Sequence, residues 1–255
     1  MRQPPCQMVQ NGTIAFTKVG ASLLEQFSDS YKILSLPYLY RDLDQYYNVL
    51  NGPIGAEILE SSRDKGFIGL AFLDAGSRSF YTNKLIKTPN DLKGMKIRVQ
   101  NSPLSIDIVK ALGATPVPLP YGELYSALQQ GVVDGAENNI PSYLSSRHFE
   151  VKKVYSYDRH TMVPDVLVVS TSVWDSFSEE DKQKLRKIAA KTVGYHKKNW
   201  NEYVTKAKVK LVDQGVVFVD SDVHAFQAAV APVYDKFKAE YPNFVAMLTD
   251  IQNTK

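Results

Sequence analysis

Short apolar segments alternate with stretches of helical periodicity along most of this chain, with only a few residues between them. A clear example begins at Thr88, which is followed by Pro89, a pair typical of a helix start. An apolar strand at Lys96–Val99 follows, then a helical stretch over residues 104–112 and a second strand over residues 115–117. Parallel strands need crossover connections of this kind. The pattern therefore predicts an α/β fold.

One very long helical pattern dominates the C-terminal half. Ser178 and the three acidic residues after it form a strong start signal, because acidic side chains complement the helix dipole. Apolar positions then recur on one face over residues 182–214. Gly194 costs such a helix only about 1 kcal/mol relative to alanine, so we expect the helix to continue through it. Buried strands are predicted at Phe67–Leu73 and residues 166–169, and we interpret residues 136–149 as a polar loop.

The composition limits the classes of partner. The chain has 255 residues, 44% of them hydrophobic, which is enough for one large or two small domains. Thirty Lys and Arg against 27 Asp and Glu give a net charge of +3, too weak and too evenly spread for a nucleic-acid partner. No apolar run is long enough to cross a bilayer, and the first sixteen residues contain no secretory signal. No Pro/Gly-rich linker divides the sequence, so two lobes would have to interleave.

The sequence contains none of the motifs that usually carry catalysis or cofactor binding. There is no G-x-S-x-G, G-x-G-x-x-G or P-loop pattern. Cys6 is the single cysteine, and the four histidines are too far apart for a metal-binding motif. We interpret His196, which has lysine neighbours, as a solvated residue of the long helix. We therefore expect no cofactor, no metal ion and no enzymatic activity.

Polar residues at predicted strand ends are the more informative feature. Arg98 lies inside an apolar strand, where a guanidinium is costly unless an anion satisfies it. Its planar fork matches a carboxylate bidentately, and Arg78 is a second candidate for the same task. The anion could belong to a ligand, or it could be one of the chain's own acids, Asp134, Glu137 or Asp165. The residues alone leave both interpretations open.

Several motifs at fixed spacing carry a family resemblance. They are TPNDLKGMKIRVQNSP, ALGATPVPLPYGELYSALQQGVVDGAENN and SRHFEVKKVYSYDRHT, together with LPYLYRD and VVSTSVWDSFSEEDK. The similarity extends from about Gly12 to the C-terminal helices. On these motifs the chain resembles the substrate-binding proteins of tripartite ATP-independent periplasmic (TRAP) transporters, the DctP family.

The resemblance implies a two-lobed, periplasmic-binding-protein-like α/β fold that closes on its ligand about a hinge, braced by a long C-terminal helix. We expect residues 1–73 in the first lobe, residues 74–165 mainly in the second, and residues 166–255 to cross back and supply the bracing helix. The resemblance also implies a periplasmic, monomeric receptor that passes its solute to membrane permease subunits. Family members begin with a strand, a helix and a second strand without counterparts here, so we expect a truncated first lobe.

The same resemblance implies roles for individual residues. Arg98, the arginine of the K-I-R-V motif, would clamp the carboxylate of an organic acid, and Arg78 would be the second, more variable arginine. Asn101 and Asn138 would be polar contacts to the ligand. Tyr121 would form the wall against which the ligand ring lies.

Two acidic residues and the ligand class complete these expectations. Glu137 would orient the site, and Asp165 would accept hydrogen bonds from sugar hydroxyls. Gly20 and Leu23 stand where sialic-acid-binding relatives carry Glu and Arg, which disfavours sialic acid. The segments GSRSFY and VPDVL resemble family members that bind hexuronates such as glucuronate or galacturonate.

Three alternatives remain beside a hexuronate receptor. Within the family, a C4-dicarboxylate could be held by Arg98 and Arg78 together. From another class, an α/β enzyme could act on a sugar acid with Asp165 or Glu137 as its base. A sensor module could use the same fold to present its ligand to a kinase, although the sequence shows no signalling domain that we recognise.

Overall fold

The computed structural model describes residues 5–255 and shows an α/β protein. In that range the strands are β1 (Phe16–Gly20), β2 (Phe67–Leu73), β3 (Arg78–Thr82), β4 (Lys96–Val99), β5 (Thr115–Pro118), β6 (Gly135–Asn138), β7 (Val154–Thr161), β8 (Asp165–Ser170) and β9 (Val217–Asp220). The α-helices are α1 (Pro5–Gln10), α2 (Ala21–Leu24), α3 (Leu43–Asn51), α4 (Pro53–Glu60), α5 (Pro103–Ala111), α6 (Leu124–Gln129), α7 (Ile140–Ser145), α8 (Thr171–Trp174), α9 (Glu179–Asp213), α10 (Val223–Glu240) and α11 (Val245–Asn253). Short 3-10 helices connect them at Asp29–Ser35, Arg63–Lys65, Pro89–Leu92, Tyr121–Glu123, His148–Glu150 and Pro242–Phe244.

The strands form two sheets with different directions. The smaller sheet has the order β1-β8-β2 and is antiparallel throughout. The larger has the order β5-β4-β6-β3-β7-β9, with parallel pairs on both sides of β3, which alone runs the other way. The carboxyl ends of five strands therefore meet the beginning of β3 at one edge. The predicted parallel arrangement is confirmed for β4, β5 and β6, whereas the smaller sheet is a different, antiparallel type.

Helix starts follow the local sequence. Five caps accept a hydrogen bond from the backbone N–H three residues later, which satisfies a donor that the first turn leaves free. They are Asp42, Ser102, Asn139, Ser178 and Asp222. The long helix α9 runs for 35 residues without interruption at Gly194, as predicted.

The core connects the two sheets, and α9 braces both. The largest apolar cluster contains Val166 from the smaller sheet and Ile97 from the larger one. Near its beginning, α9 places Leu185 against the cluster that holds Ile68 of β2, and near its end it buries Leu211 with the aromatic residues under the larger sheet. The bracing role predicted for this helix is confirmed. Among the helices of residues 5–255, none is both long and apolar enough to cross a membrane.

Two interpretations of the sequence are wrong. Residues 136–149 are not a loop, because they contain most of the buried strand β6, the whole of α7 and a 3-10 turn. Strand β6 carries polar side chains, which are typical of an exposed loop. The strand is nevertheless buried, because these side chains bind other protein groups rather than water. His196 is not simply solvated: its Nε2 lies 2.6 Å from the backbone oxygen of Asp74, and its ring stacks on Trp200. It ties α9 to the segment that leaves the smaller sheet.

Candidate functional site

Four neighbouring strands bring the charged residues of the sequence together. In the order β4-β6-β3-β7, Arg98 stands opposite Ala136, Ser79 opposite Asn138, and Arg78 opposite Thr161. Because β3 starts where its neighbours end, Arg78 reaches the carboxyl edge of the sheet. Ligands of open α/β sheets bind at this edge. A pocket opens there, lined by Ser35, Arg78, Val99, Gln100, Ser105, Ile108, Val109, Glu137, His160, Thr161 and Val163.

Arg78 and Glu137 form a buried ion pair at the centre of this edge. The Nε atom of Arg78 donates to Oε2 of Glu137, and Nη2 donates to Oε1 over 2.9 Å. Nη1 donates to Oδ1 of Asn138 over 3.1 Å, and Nη2 also donates to the backbone oxygen of Glu137 over 3.0 Å, so strand β6 accepts from four of the five N–H groups. Burial would raise the pKa of Glu137, but the charges of Arg78 and His160 outweigh it and lower the pKa to about 2. Glu137 thus remains a carboxylate that neutralises Arg78.

His160 extends the pair into a chain of charges. Its Nδ1 lies 2.6 Å from Oδ2 of Asp158, and its Nε2 lies 3.6 Å from Oε2 of Glu137. The ring stacks on Phe80. Burial would lower the pKa of His160, but the carboxylates of Asp158 and Glu137 raise it to about 9. His160 is therefore an imidazolium at neutral pH.

Arg98 has no such partner. Its Nε and Nη2 donate to the backbone oxygen of Leu119 at 2.9 and 2.7 Å, and Nη1 is buried without any hydrogen bond within residues 5–255. Arg98 is only 3% exposed and forms no ion pair with any described acid. Burial lowers the pKa of its guanidinium, and the charge of Arg78 adds to this, while Glu137 opposes it. The internal pairing that the sequence left open therefore belongs to Arg78, not to Arg98.

The charges of this cluster do not cancel. Arg78, Arg98 and His160 are positive, whereas Glu137 and Asp158 are negative, which leaves one positive charge in excess. A buried excess charge is costly unless an anion completes it. The arrangement can therefore receive one anionic group beside Arg98.

The aromatic residue predicted as a wall lies beside Arg98. The guanidinium carbon of Arg98 is 5.6 Å from the ring centre of Tyr121, a cation–π distance. Tyr121 is 43% exposed, and its hydroxyl oxygen lies 2.6 Å from Oγ of Ser146. The ring is therefore anchored at its hydroxyl end while much of the side chain stays accessible.

Two predicted contacts lie outside the charged cluster. The residue Asn101 is exposed, and its backbone oxygen accepts from Nε2 of Gln26. Asp165 stands on the smaller sheet, at the beginning of β8, where Lys18 donates to its Oδ2. The structure thus groups Arg78, Arg98, Glu137, Asn138 and Tyr121, leaves the side chain of Asn101 on the surface, and places Asp165 on the facing sheet.

Of the residues that line the pocket, sequence reasoning found Arg78 and Glu137 and missed the others, among them Ser35, Gln100 and His160. Ser35 ends a 3-10 helix of mixed sequence, Gln100 directly follows the K-I-R-V strand, and His160 lies near the end of the motif SRHFEVKKVYSYDRHT. The position of Gln100, two residues after the arginine at a strand end, was a usable signal. For His160 the local signal was incomplete, because Asp158 stands two residues before it on β7 but its second carboxylate, Glu137, is brought to it by folding.

Comparison with known proteins identifies the family. Residues 3–240 match the family described as bacterial extracellular solute-binding protein, family 7 (DctP). A solute-binding protein of Chromohalobacter salexigens is 35% identical over 251 residues, which are 98% of this chain and 75% of that protein.

Two solved structures share the fold over nearly the whole chain. A TRAP periplasmic solute-binding protein of Xanthobacter autotrophicus with bound β-D-galacturonate has a TM-score of 0.94 at 40% identity, covering 98% of this chain and 84% of the other. One of Chromohalobacter salexigens with bound D-glucuronate has a TM-score of 0.95 at 34% identity, with the same coverage. These likenesses confirm the two-lobed binding-protein fold and favour a receptor over an enzyme. The chain belongs to the DctP family, family 7 of the bacterial extracellular solute-binding proteins.

Proposed function

We propose that this protein is the periplasmic receptor of a TRAP transporter, and that it binds a hexuronate such as galacturonate or glucuronate and delivers it to membrane permease subunits. The single observation that carries the ligand assignment is the buried Nη1 of Arg98, which has no hydrogen-bond partner within residues 5–255. A guanidinium left in this state costs free energy that a carboxylate recovers, because two parallel N–H···O bonds fit its planar fork.

The charge balance favours one carboxylate over two. The guanidinium of Arg78 is already neutralised by Glu137 and occupied by Asn138. It therefore offers no free fork to a second carboxylate, as a C4-dicarboxylate would require. The single excess charge of the cluster matches a monoanion, and a hexuronate is a monoanion with several hydroxyls.

The neutral part of such a ligand has suitable neighbours. The exposed ring of Tyr121 beside Arg98 offers an apolar surface for the sugar ring. Asp165 on the smaller sheet offers carboxylate oxygens to hydroxyl groups, and it is half-buried. The galacturonate and glucuronate bound by the related structures are ligands of this chemistry.

Ligand contacts on both sheets give a reason for lobe closure. Arg98 belongs to the larger sheet and Asp165 to the smaller one. A ligand that contacts both stabilises the arrangement in which the sheets approach, and so it shifts the population toward the closed form. We place the lobes at residues 1–73 and 74–165, with residues 166–255 crossing between them, in a protein that acts as a monomer.

A thermal-shift screen tests the proposal. The purified chain is melted with galacturonate, glucuronate, sialic acid, succinate or glucose. A ligand at one hundred times its Kd adds about 2.7 kcal/mol to the free energy of unfolding, which a melting curve detects. We expect both uronates to raise the Tm and glucose to leave it unchanged. A shift with succinate alone would replace the uronate assignment by the dicarboxylate one.

A further inference from the structure

The short helix α2 holds the loop that follows the Arg98 strand. Oγ of Ser22 donates to Oε1 of Gln100 over 2.9 Å, and Nε2 of Gln26 donates to the backbone oxygen of Asn101 over 3.3 Å. In addition, the carboxylate of Glu25 accepts from Oγ of Ser102 over 2.8 Å. Three side chains, one on α2 and two in the turn that follows it, thus fix residues 100–102, and the contact joins the smaller sheet to the larger one. The partly buried Gln100 is held in one orientation.

This orientation leaves the amide nitrogen of Gln100 for another partner. Its oxygen is used by Ser22, which is completely buried, whereas Nε2 has no hydrogen bond within residues 5–255. Gln100 also lines the pocket that contains Arg78, Glu137 and His160. The side chain therefore presents an N–H donor toward the cleft.

A complementary acceptor lies close to this donor. A methyl group built on Gly20 would be 3.8 Å from Nε2 of Gln100 and 3.7 Å from Oδ1 of Asp165. Lys18 donates to the other oxygen, Oδ2, and Oδ1 has no hydrogen bond in the described part of the chain. The space above Gly20 is thus bordered by one donor from the larger sheet and one acceptor from the smaller sheet.

We propose that this space is a subsite for one hydroxyl group of the bound acid, with Gln100 as a specificity-determining residue. The hydroxyl accepts a hydrogen bond from Nε2 of Gln100 and donates one to Oδ1 of Asp165, because a hydroxyl oxygen both accepts and donates. A keto or carboxylate oxygen at the same place cannot donate, and it would leave Asp165 facing another acceptor. The subsite selects hydroxy acids over keto acids, and it rests on the proposed function, since the carboxylate must first be held by Arg98.

Calorimetry on the full chain with galacturonate and its monodeoxy analogues tests the subsite. We expect Gln100→Leu to bind galacturonate about tenfold more weakly than the wild type, the effect of one lost hydrogen bond. For one of the deoxy sugars the two proteins should have equal affinity, because the partner of Gln100 is already missing. Gln183→Leu, on the exposed face of α9, is the matched control and should bind like the wild type.

A second variant fills the space without disturbing the fold. The φ angle of Gly20 is −66°, and the contacts that an added methyl group would make are ordinary ones, so Gly20→Ala should fold normally. We expect it to bind galacturonate at least tenfold more weakly by excluding the hydroxyl. Gly122→Ala, with nothing within 4 Å of the added methyl group, is its control.

The outcomes separate the two proposals. If the wild type binds neither galacturonate nor glucuronate, the proposed function and the subsite both fail. If the wild type binds them while Gln100→Leu and Gly20→Ala keep its affinity, only the subsite is overturned. If Gln100→Leu loses affinity equally for the parent and for every deoxy sugar, Gln100 contacts no hydroxyl and the assignment is wrong.

Discussion

The guanidinium of Arg78 donates two hydrogen bonds to the carboxylate of Glu137 on the neighbouring strand, and both side chains are buried. This relationship decides which arginine is available to a ligand. Because Arg78 is neutralised from inside the protein, Arg98 is the buried guanidinium without an ion-pair partner among the described residues. The site thus combines the neutral ion pair of Arg78 and Glu137 with the positive charge of Arg98, which has no ion-pair partner in residues 5–255.

Removal of the carboxylate of Glu137 should destabilise the protein. In Glu137→Gln, Arg78 loses its charged partner and His160 loses one of two, and an unpaired buried charge costs about 3–5 kcal/mol. Urea unfolding measures this loss. Glu150→Gln on the surface is the control and should change the unfolding free energy by no more than about 1 kcal/mol. A Glu137→Gln protein as stable as the control would contradict the buried pair.

The pKa of His160 predicts a pH dependence of stability. Since folding raises this pKa from 6.5 to about 9, the folded state binds the proton more tightly than the unfolded state. The stabilisation is complete below pH 6.5 and is lost as the pH rises through about 9; its size is about 3 kcal/mol.

Urea unfolding of the wild type and His160→Gln at pH 6 and pH 9.5 measures this effect. We expect the wild type to lose more stability over the interval than His160→Gln, while His224→Gln, an exposed histidine on α10, behaves like the wild type. The same pH dependence in all three proteins would show that His160 is not protonated in the folded state.

Two glycines should respond to alanine in opposite directions. A methyl group at Gly135, in β6, would lie 2.5 Å from Cγ2 of Thr82 and 2.6 Å from the backbone oxygen of Tyr81. Gly135→Ala should therefore cost about 1–3 kcal/mol through overpacking. Gly194, in the middle of α9, has nothing within 4 Å, so Gly194→Ala should stabilise the protein by about 0.5–1 kcal/mol. Thermal melts of both variants would contradict this account if the two shifts had the same sign.

Local signals explain what the sequence predicted well. The strand Lys96–Val99 and the start of α9 after Ser178 were found because an apolar run or a cap lies within a few residues of the element it defines. Arg98 of the K-I-R-V motif was found for the same reason. A charged side chain inside an apolar strand needs an anionic partner, and the neighbouring residues alone show that it lies in such a strand.

Non-local partners explain what the sequence could not predict. Strand β6 looks polar, and its burial depends on Arg78, which is 59 residues away from Glu137 along the chain. Which arginine is neutralised internally depends on the order β4-β6-β3, which places Glu137 beside Arg78. The charge of His160 likewise depends on Asp158 and Glu137, which meet only in the folded sheet.

Calorimetric titration of Arg98 variants with galacturonate tests the central claim most directly. The account predicts that the wild type binds, that Arg98→Ala loses about 2–5 kcal/mol of binding free energy, and that Arg98→Lys recovers little of it because lysine lacks the planar fork. Arg41→Ala, at an exposed arginine, should bind like the wild type. Galacturonate binding by Arg98→Ala with wild-type affinity would contradict the claim that Arg98 holds the ligand carboxylate.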